Sequence, residues 1–131
     1  MVLKQTMLIT MLILLSYGTV MAEWVRAGGT HKYDGYTDLA TIGATAQRVT
    51  MWTMKDFKVT RQIPLGAFRS VKIKKQYDCR DNKIRLLALK YFTEPMGKGR
   101  LLFSGKGTKQ WSRVTPESDH ETEWKFACKW K

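Results

Sequence analysis

Between Phe68 and Cys79 the sequence alternates. Val71, Ile73, Tyr77 and Cys79 fall on one side of an extended chain, and Ser70, Lys72, Lys74, Gln76 and Asp78 on the other. Period two is the mark of a strand with one dry and one wet face. A solvated lysine face fits an antiparallel sheet, because parallel sheets are covered on both sides. The flanking segments read the same way. Glu23–Gly29 is a first strand ended by Gly28–Gly29, and Lys32–Leu39 a short hairpin with Asp34–Gly35 as its turn signal. Arg48–Phe57 is rich in β-branched and aromatic residues and reads as a strand, followed by a loop over Thr60–Ala67 that carries Pro64 and Gly66. After a turn at Arg80–Asp81–Asn82, Lys83–Phe92 is the next strand, broken by Glu94–Pro95–Met96–Gly97. Gly99–Ser104 is a further short strand, and Gly105–Lys106–Gly107 turns the chain again. Short strands separated by turn signals predict an antiparallel meander.

The last segment has a different period. Ser118-Asp119-His120-Glu121 has the spacing of a capping box, and Asp119 sits where a helix N-terminus favours negative charge. His120, Trp124, Ala127 and Cys128 then share one helical face, and Lys125, Lys129 and Lys131 lie toward the end that favours cations. A C-terminal helix of about three turns is expected, too short to be stable alone.

The N-terminus bears on the compartment. Lys4 is the only charged residue before Glu23, the run Met7–Leu15 is apolar apart from Thr10, and Val20 and Ala22 are small residues at the −3 and −1 positions. This pattern predicts a secretory signal peptide over residues 1–22, cut between Ala22 and Glu23. A transmembrane anchor would need about 20 apolar residues, and the run is shorter. Cleavage leaves residues 23–131 as a single domain of 109 residues, with one lysine fewer. In an exported chain the pair Cys79 and Cys128 is expected to form a disulfide closing a 50-residue loop. The alternative, a reactive thiol, has no Cys-x-x-Cys and only His31 and His120 as bases to support it.

Catalytic and metal signatures are absent from the sequence. There is no Gly-x-Ser-x-Gly and no His-Glu-x-x-His. The stretch Gly99–Gly107 has the wrong spacing for a phosphate loop and lacks the Ser or Thr after Lys106, so its glycines read as turn residues. His31 and His120 lack a third ligand, and Asp34, Asp38, Asp56, Glu94, Glu117 and Glu121 are not paired by any motif. The chain is expected to be no enzyme and to need no cofactor or metal.

Charge is the positive lead. Across 131 residues, 23 Lys+Arg stand against 11 Asp+Glu, a net charge of +12 that becomes +11 on loss of the signal peptide. Such a balance favours anionic partners, and export directs the reading away from nucleic acid. Arg69, Lys72, Lys74 and Lys75 cluster within seven residues, and Lys83, Arg85 and Lys90 come from the adjacent predicted strand. These form a candidate ligand-binding patch, with Trp24, Trp52 and Trp111 as flat surface beside it. The plainer reading is a solvated strand face that blocks edge pairing.

A family resemblance follows from residues spread along the chain. Ala22-Glu23-Trp24-Val25-Arg26, Tyr36–Ile42, Val49-Thr50-Met51-Trp52, Tyr77-Asp78-Cys79, Tyr91–Gly99 with its Pro95-Met96-Gly97, and Trp124-Lys125-Phe126-Ala127-Cys128 occur in an order that resembles the surface-adhesin protein E family of Gram-negative bacteria. The resemblance implies an α+β domain: a small curved antiparallel sheet, about six short strands by the turn count, with one C-terminal helix tied to it by the Cys79–Cys128 disulfide. It implies a periplasmic or surface location, no catalysis, binding of host extracellular-matrix proteins, association with the outer-membrane surface, and homodimers. Anionic glycans are the partner that the basic patch itself suggests. Two departures stand out: Leu39 follows Asp38 where the family often has proline, and Lys72, Lys74 and Lys75 make this copy more basic. The competing expectation is a periplasmic accessory protein or enzyme inhibitor. A chain at +11 would be repelled at long range by basic lysozymes.

Overall fold

The computed structural model describes residues 22–129. The signal-peptide expectation therefore lies, but for Ala22, outside the described residues. Six strands run in sequence order as an antiparallel meander: β1 (Trp24–Gly29), β2 (Tyr33–Thr45), β3 (Arg48–Ile63), β4 (Gly66–Asp78), β5 (Lys83–Phe92) and β6 (Leu101–Lys106). A two-residue strand, β7 (Ser112–Arg113), pairs with the free end of β5, and the chain closes with helix α1 (Asp119–Lys129). The α+β architecture and the disulfide-tied helix are as the sequence implies.

β2 and β3 are longer than expected, because bulges let them bend and continue where the sequence suggested breaks. Register shifts interrupt the ladders between Asp38 and Gly43, between Asp56 and Arg61, and between Lys74 and Lys75. Each adds twist and curves the sheet. Three turn and loop expectations are corrected. Asp34–Gly35 lies inside β2, where a Cβ on Gly35 would collide with the Ala27 carbonyl of β1; the glycine serves close strand approach. The actual β1–β2 turn is closed by Thr30 N–H donating to Tyr33 O at 2.8 Å. The loop expected over Thr60–Ala67 is instead a tight hairpin, with Ile63 paired to Gly66 around Pro64–Leu65. Likewise Gly105 and Lys106 belong to β6, paired with Leu89 and Ala88.

The alternation in β4 divides the sheet. Tyr77 and Val71 lie on the inner face; the outer face carries Lys72 and Lys74. Helix α1 covers one half of the inner face, where Val49, Met51, Tyr77, Ile84 and Ala127 form a core with Trp124 and the disulfide Cys79–Cys128 against it. A second core under the β3–β4 hairpin centres on Phe68, Val71 and Ile73. There Tyr33, Phe57, Phe68, Tyr91 and Phe103 make successive edge-to-face contacts at 4.9–5.8 Å.

The helix begins as its cap predicts, with Glu121 N–H donating to Ser118 Oγ at 3.3 Å. Asp119 does more than favour the helix N-terminus. Its carboxylate accepts from Gly29 N–H at 3.0 Å and from the Tyr33 hydroxyl, joining α1 to β1 and β2. Midway along α1, Trp124 Nε1–H donates to Asp78 O at 3.0 Å.

Lys75 corrects the sequence reading of the patch. It shares the inner face with Tyr77, is 1% exposed, and places Nζ 2.6 Å from Glu123 Oε2 of α1. The Tyr77 hydroxyl donates to the same oxygen at 3.1 Å. His120 lies beside them, with Nδ1 buried, unbonded and 4.0 Å from Glu123 Oε2. Burial first, then the Lys75 charge, hold the His120 imidazole below its ordinary range, outweighing the attraction of Glu123 and Asp119. A base with a depressed native pKa binds its proton first in the unfolded chain. Its contribution is present above about pH 6.5 and is lost as pH falls through the native value. We expect stability to decline below that point, and His120→Gln to flatten the decline, as read by urea midpoints between about pH 7 and 5. An unchanged slope in His120→Gln would rule the histidine out as its source.

Candidate binding face

The outer face is built by register. One cross-strand row runs Trp24–Asp38–Trp52–Lys74–Ala88 over β1 to β5, and the next runs Arg26–Tyr36–Met54–Lys72–Lys90. Further along, Arg48, Asp78 and Lys83 form a row, as do Thr50, Gln76 and Arg85. The bulge at Lys74/Lys75 absorbs one extra residue of β5, so Arg85 and Lys83 return to the same face as Lys90.

The patch expected from the sequence is thus divided. Lys72, Lys74, Lys83 and Arg85 come together, joined by Lys90 and by Arg48, which sequence reasoning missed. Lys75 lies on the opposite side. Arg69 is drawn into the gap in the β3–β4 ladder, where Nε–H donates to Phe57 O at 3.1 Å. Only register could have found Arg48, because it is far from the cluster in sequence.

Lys72 and Lys90 stand directly opposite each other, an arrangement that repels. Aromatic rings offset it. Lys72 Nζ lies 5.6 Å from the Trp24 ring centroid and 5.0 Å from that of Phe92, and Lys90 Nζ lies 5.3 Å from Trp52. Arg48 and Arg85 both contact the Trp111 ring, at 5.1 and 4.5 Å, and Arg85 Nε–H donates to Gln76 Oε1 at 2.7 Å. Cation–π contacts of this kind hold a charge in place without neutralising it.

The carboxylates of this face are engaged elsewhere. Asp38 accepts from Glu23 N–H and Ala40 N–H, at 3.0 and 3.1 Å, and Asp56 accepts from Met96 N–H at 3.0 Å. Asp78 accepts from Arg80 N–H and Asp81 N–H, each at 3.0 Å. Burial pushes the Asp78 carboxyl up, but these amides, Gln47 and Arg48 together hold it below its usual range. Among the described residues, no ion pair involves Lys72, Lys74, Lys83, Arg85 or Lys90.

A recess of about 250 Å³ opens in this face, lined by Trp24, Trp52, Phe92, Lys72 and Lys90, with Asp38, Thr41 and Ala22 at its border. It is smaller than the roughly 300–1,000 Å³ usual for drug-sized ligands. Beside it Gly97, at φ +68°, leaves room for the Lys72 stem, which a Cβ there would strike. Ser70 Oγ accepts from Gly97 N–H at 2.8 Å and donates to Glu94 O at 2.6 Å, fixing the Pro95–Gly97 turn against the sheet. Among the described residues, no group of three or more His, Cys, Asp or Glu side chains could hold a metal ion. No helix among them is long and apolar enough to cross a membrane.

Known structures share this architecture. Haemophilus influenzae protein E is similar with a TM-score of 0.67 at 19% identity, over 85% of this chain and 87% of that chain. Its crystal form II gives 0.63 at 19% identity, over 85% and 91%. Protein E from non-typeable Haemophilus influenzae gives 0.61 at 17% identity, over 86% and 80%. At these identities the likeness speaks for the fold. No curated protein matches the chain. The family model described as surface-adhesin protein E matches residues 24–129, the described domain almost end to end. The chain belongs to the surface-adhesin protein E family.

Proposed function

We propose that this chain is an exported, non-catalytic binding domain of the adhesin type. Its outer face engages anionic partners: anionic glycans or acidic stretches of extracellular-matrix proteins at the cell surface. The observation that carries the reading is the set Lys72, Lys74, Lys83, Arg85 and Lys90. These cations are interleaved with Trp24, Trp52 and Trp111 and, among the described residues, form no ion pair with a carboxylate. Flat rings give contact area at low entropic cost, and unneutralised cations supply long-range attraction. Family membership and the excess of basic residues support the same direction.

The domain should be retained by immobilised heparin at low salt and released as salt rises, since exposed charges are screened within about 8 Å at physiological ionic strength. A neutral dextran matrix should not retain it. Retention indifferent to salt would remove the electrostatic reading. Protease added to intact cells should degrade the protein if it acts as an adhesin, whereas full protection would confine it to the periplasm.

A further inference from the structure

The backbone nitrogen of Glu23 is 3.0 Å from Asp38 Oδ1. Asp38 is 4% exposed, lies between Trp24 and Trp52 in its cross-strand row, and borders the recess of the outer face. Glu23 is held in place independently, because Leu39 N–H donates to Glu23 O at 3.2 Å. In the unprocessed chain this nitrogen is an amide. The predicted cut between Ala22 and Glu23 would turn the same atom into an α-ammonium and remove Ala22 from the border of the recess.

We propose that signal cleavage completes the binding face: the new α-ammonium of Glu23 forms an ion pair with the buried carboxylate of Asp38. Hydrolysis of the Ala22–Glu23 peptide bond consumes one water, leaves the carboxylate on Ala22, and protonates the released amine. The nitrogen already sits at hydrogen-bond distance, so the pair needs no rearrangement. Its effect on the recess is electrostatic. Asp38 is the one carboxylate among the residues that line the recess, where it faces the Lys72 and Lys90 ammoniums. Neutralised by the N-terminus, it no longer opposes an incoming anion. The mature chain then presents a more cationic recess than the precursor, with its own first residue as part of the wall.

The inference rests on the export reading, and mass spectrometry of the protein recovered from its native host tests that reading separately by reporting the first residue. The pairing itself is tested with two purified chains. One begins at Glu23, and the other carries Gly-Ser ahead of Glu23 and so has an amide at this nitrogen. In the first, the Glu23 α-amino group, followed by NMR, should titrate about one pH unit or more above its ordinary 7.7–8.0. The raised native pKa stabilises below the unfolded value, and that stabilisation is lost as pH rises through the native one. The Glu23 chain should therefore have the higher urea midpoint at pH 7, and the gap should close above about pH 9. Asp38→Asn should abolish both the raised titration and the gap. An α-amino group titrating at its ordinary value would overturn the proposal even if Asp38→Asn failed to fold. So would a gap unchanged by Asp38→Asn or by pH.

Discussion

Replacing Glu123 by alanine should destabilise the domain by about 3–5 kcal/mol, a large share of the 5–15 kcal/mol typical of a domain. The Lys75 ammonium is 1% exposed, and its ion-pair partner is the Glu123 carboxylate 2.6 Å away. Without the carboxylate the ammonium keeps the cost of desolvation with no compensating charge, and the Tyr77 hydroxyl loses its acceptor. The loss belongs to the broken pair more than to the worth of the pair itself. Lys75→Met with Glu123→Leu should accordingly recover most of it, since well-packed apolar replacements of buried pairs are often neutral or better. Urea midpoints of the wild type, Lys75→Met, Glu123→Leu and the double variant form the cycle that separates these contributions. A double variant as unstable as the sum of the singles would show no coupling between the two side chains and would contradict the buried pair as the source of the loss. One further consequence is local. Burial first, then the neighbouring Lys75 charge, lower the Lys55 ammonium pKa, so Lys75→Met should raise it.

Removing the disulfide should cost about 4 kcal/mol, from the loop-closure entropy of a bridge spanning 49 residues in sequence. The bridge ties the end of α1 to the end of β4, and an 11-residue helix is marginal without tertiary support. Without it, the helix is held by Trp124 on Asp78 O, by Asp119 on Gly29 and Tyr33, and by the Lys75–Glu123 pair. Cys79→Ser with Cys128→Ser should lower the urea midpoint and lose helical circular dichroism before the sheet unfolds. Coincident loss of helix and sheet at an unchanged midpoint would contradict the assigned role.

Much of the fold is legible in the sequence because it depends on local signals. Lys83–Phe92 is β5 residue for residue, and the Ser118 cap with its acidic first turn sets the start of α1. The failures depend on what lies across the sheet. Gly35 looks like a turn residue until the Ala27 carbonyl of β1 is placed against it. β7 has two residues and no periodicity to read. Lys75 is instructive, because period two from Val71, Ile73 and Tyr77 puts it on the inner face by counting alone. Helical spacing from His120 and Ala127 likewise puts Glu123 inward. Opposite charges predicted on two apolar faces are a readable sign of a buried pair. The basic outer face, like the inward turn of Lys75, was legible from alternation, but the loss of Arg69 and the gain of Arg48 were not. Arg69 is turned aside by a ladder irregularity, and Arg48 joins through register beside the Lys90 already expected from the adjacent strand.

One face of the sheet, rather than net charge alone, is proposed to bind anions. Two triple reversals of equal charge test it on immobilised heparin. Lys72→Glu, Lys74→Glu and Lys90→Glu alter the outer face. Lys32→Glu, Lys125→Glu and Lys129→Glu alter the β1–β2 turn and the exposed side of α1. Three lost contacts of about 0.5 kcal/mol each exceed the 1.4 kcal/mol of a tenfold change. The outer-face variant should therefore lose at least about tenfold in affinity, with the other variant close to wild type after allowance for net charge. Equal losses in the two variants would contradict the assignment of binding to this face.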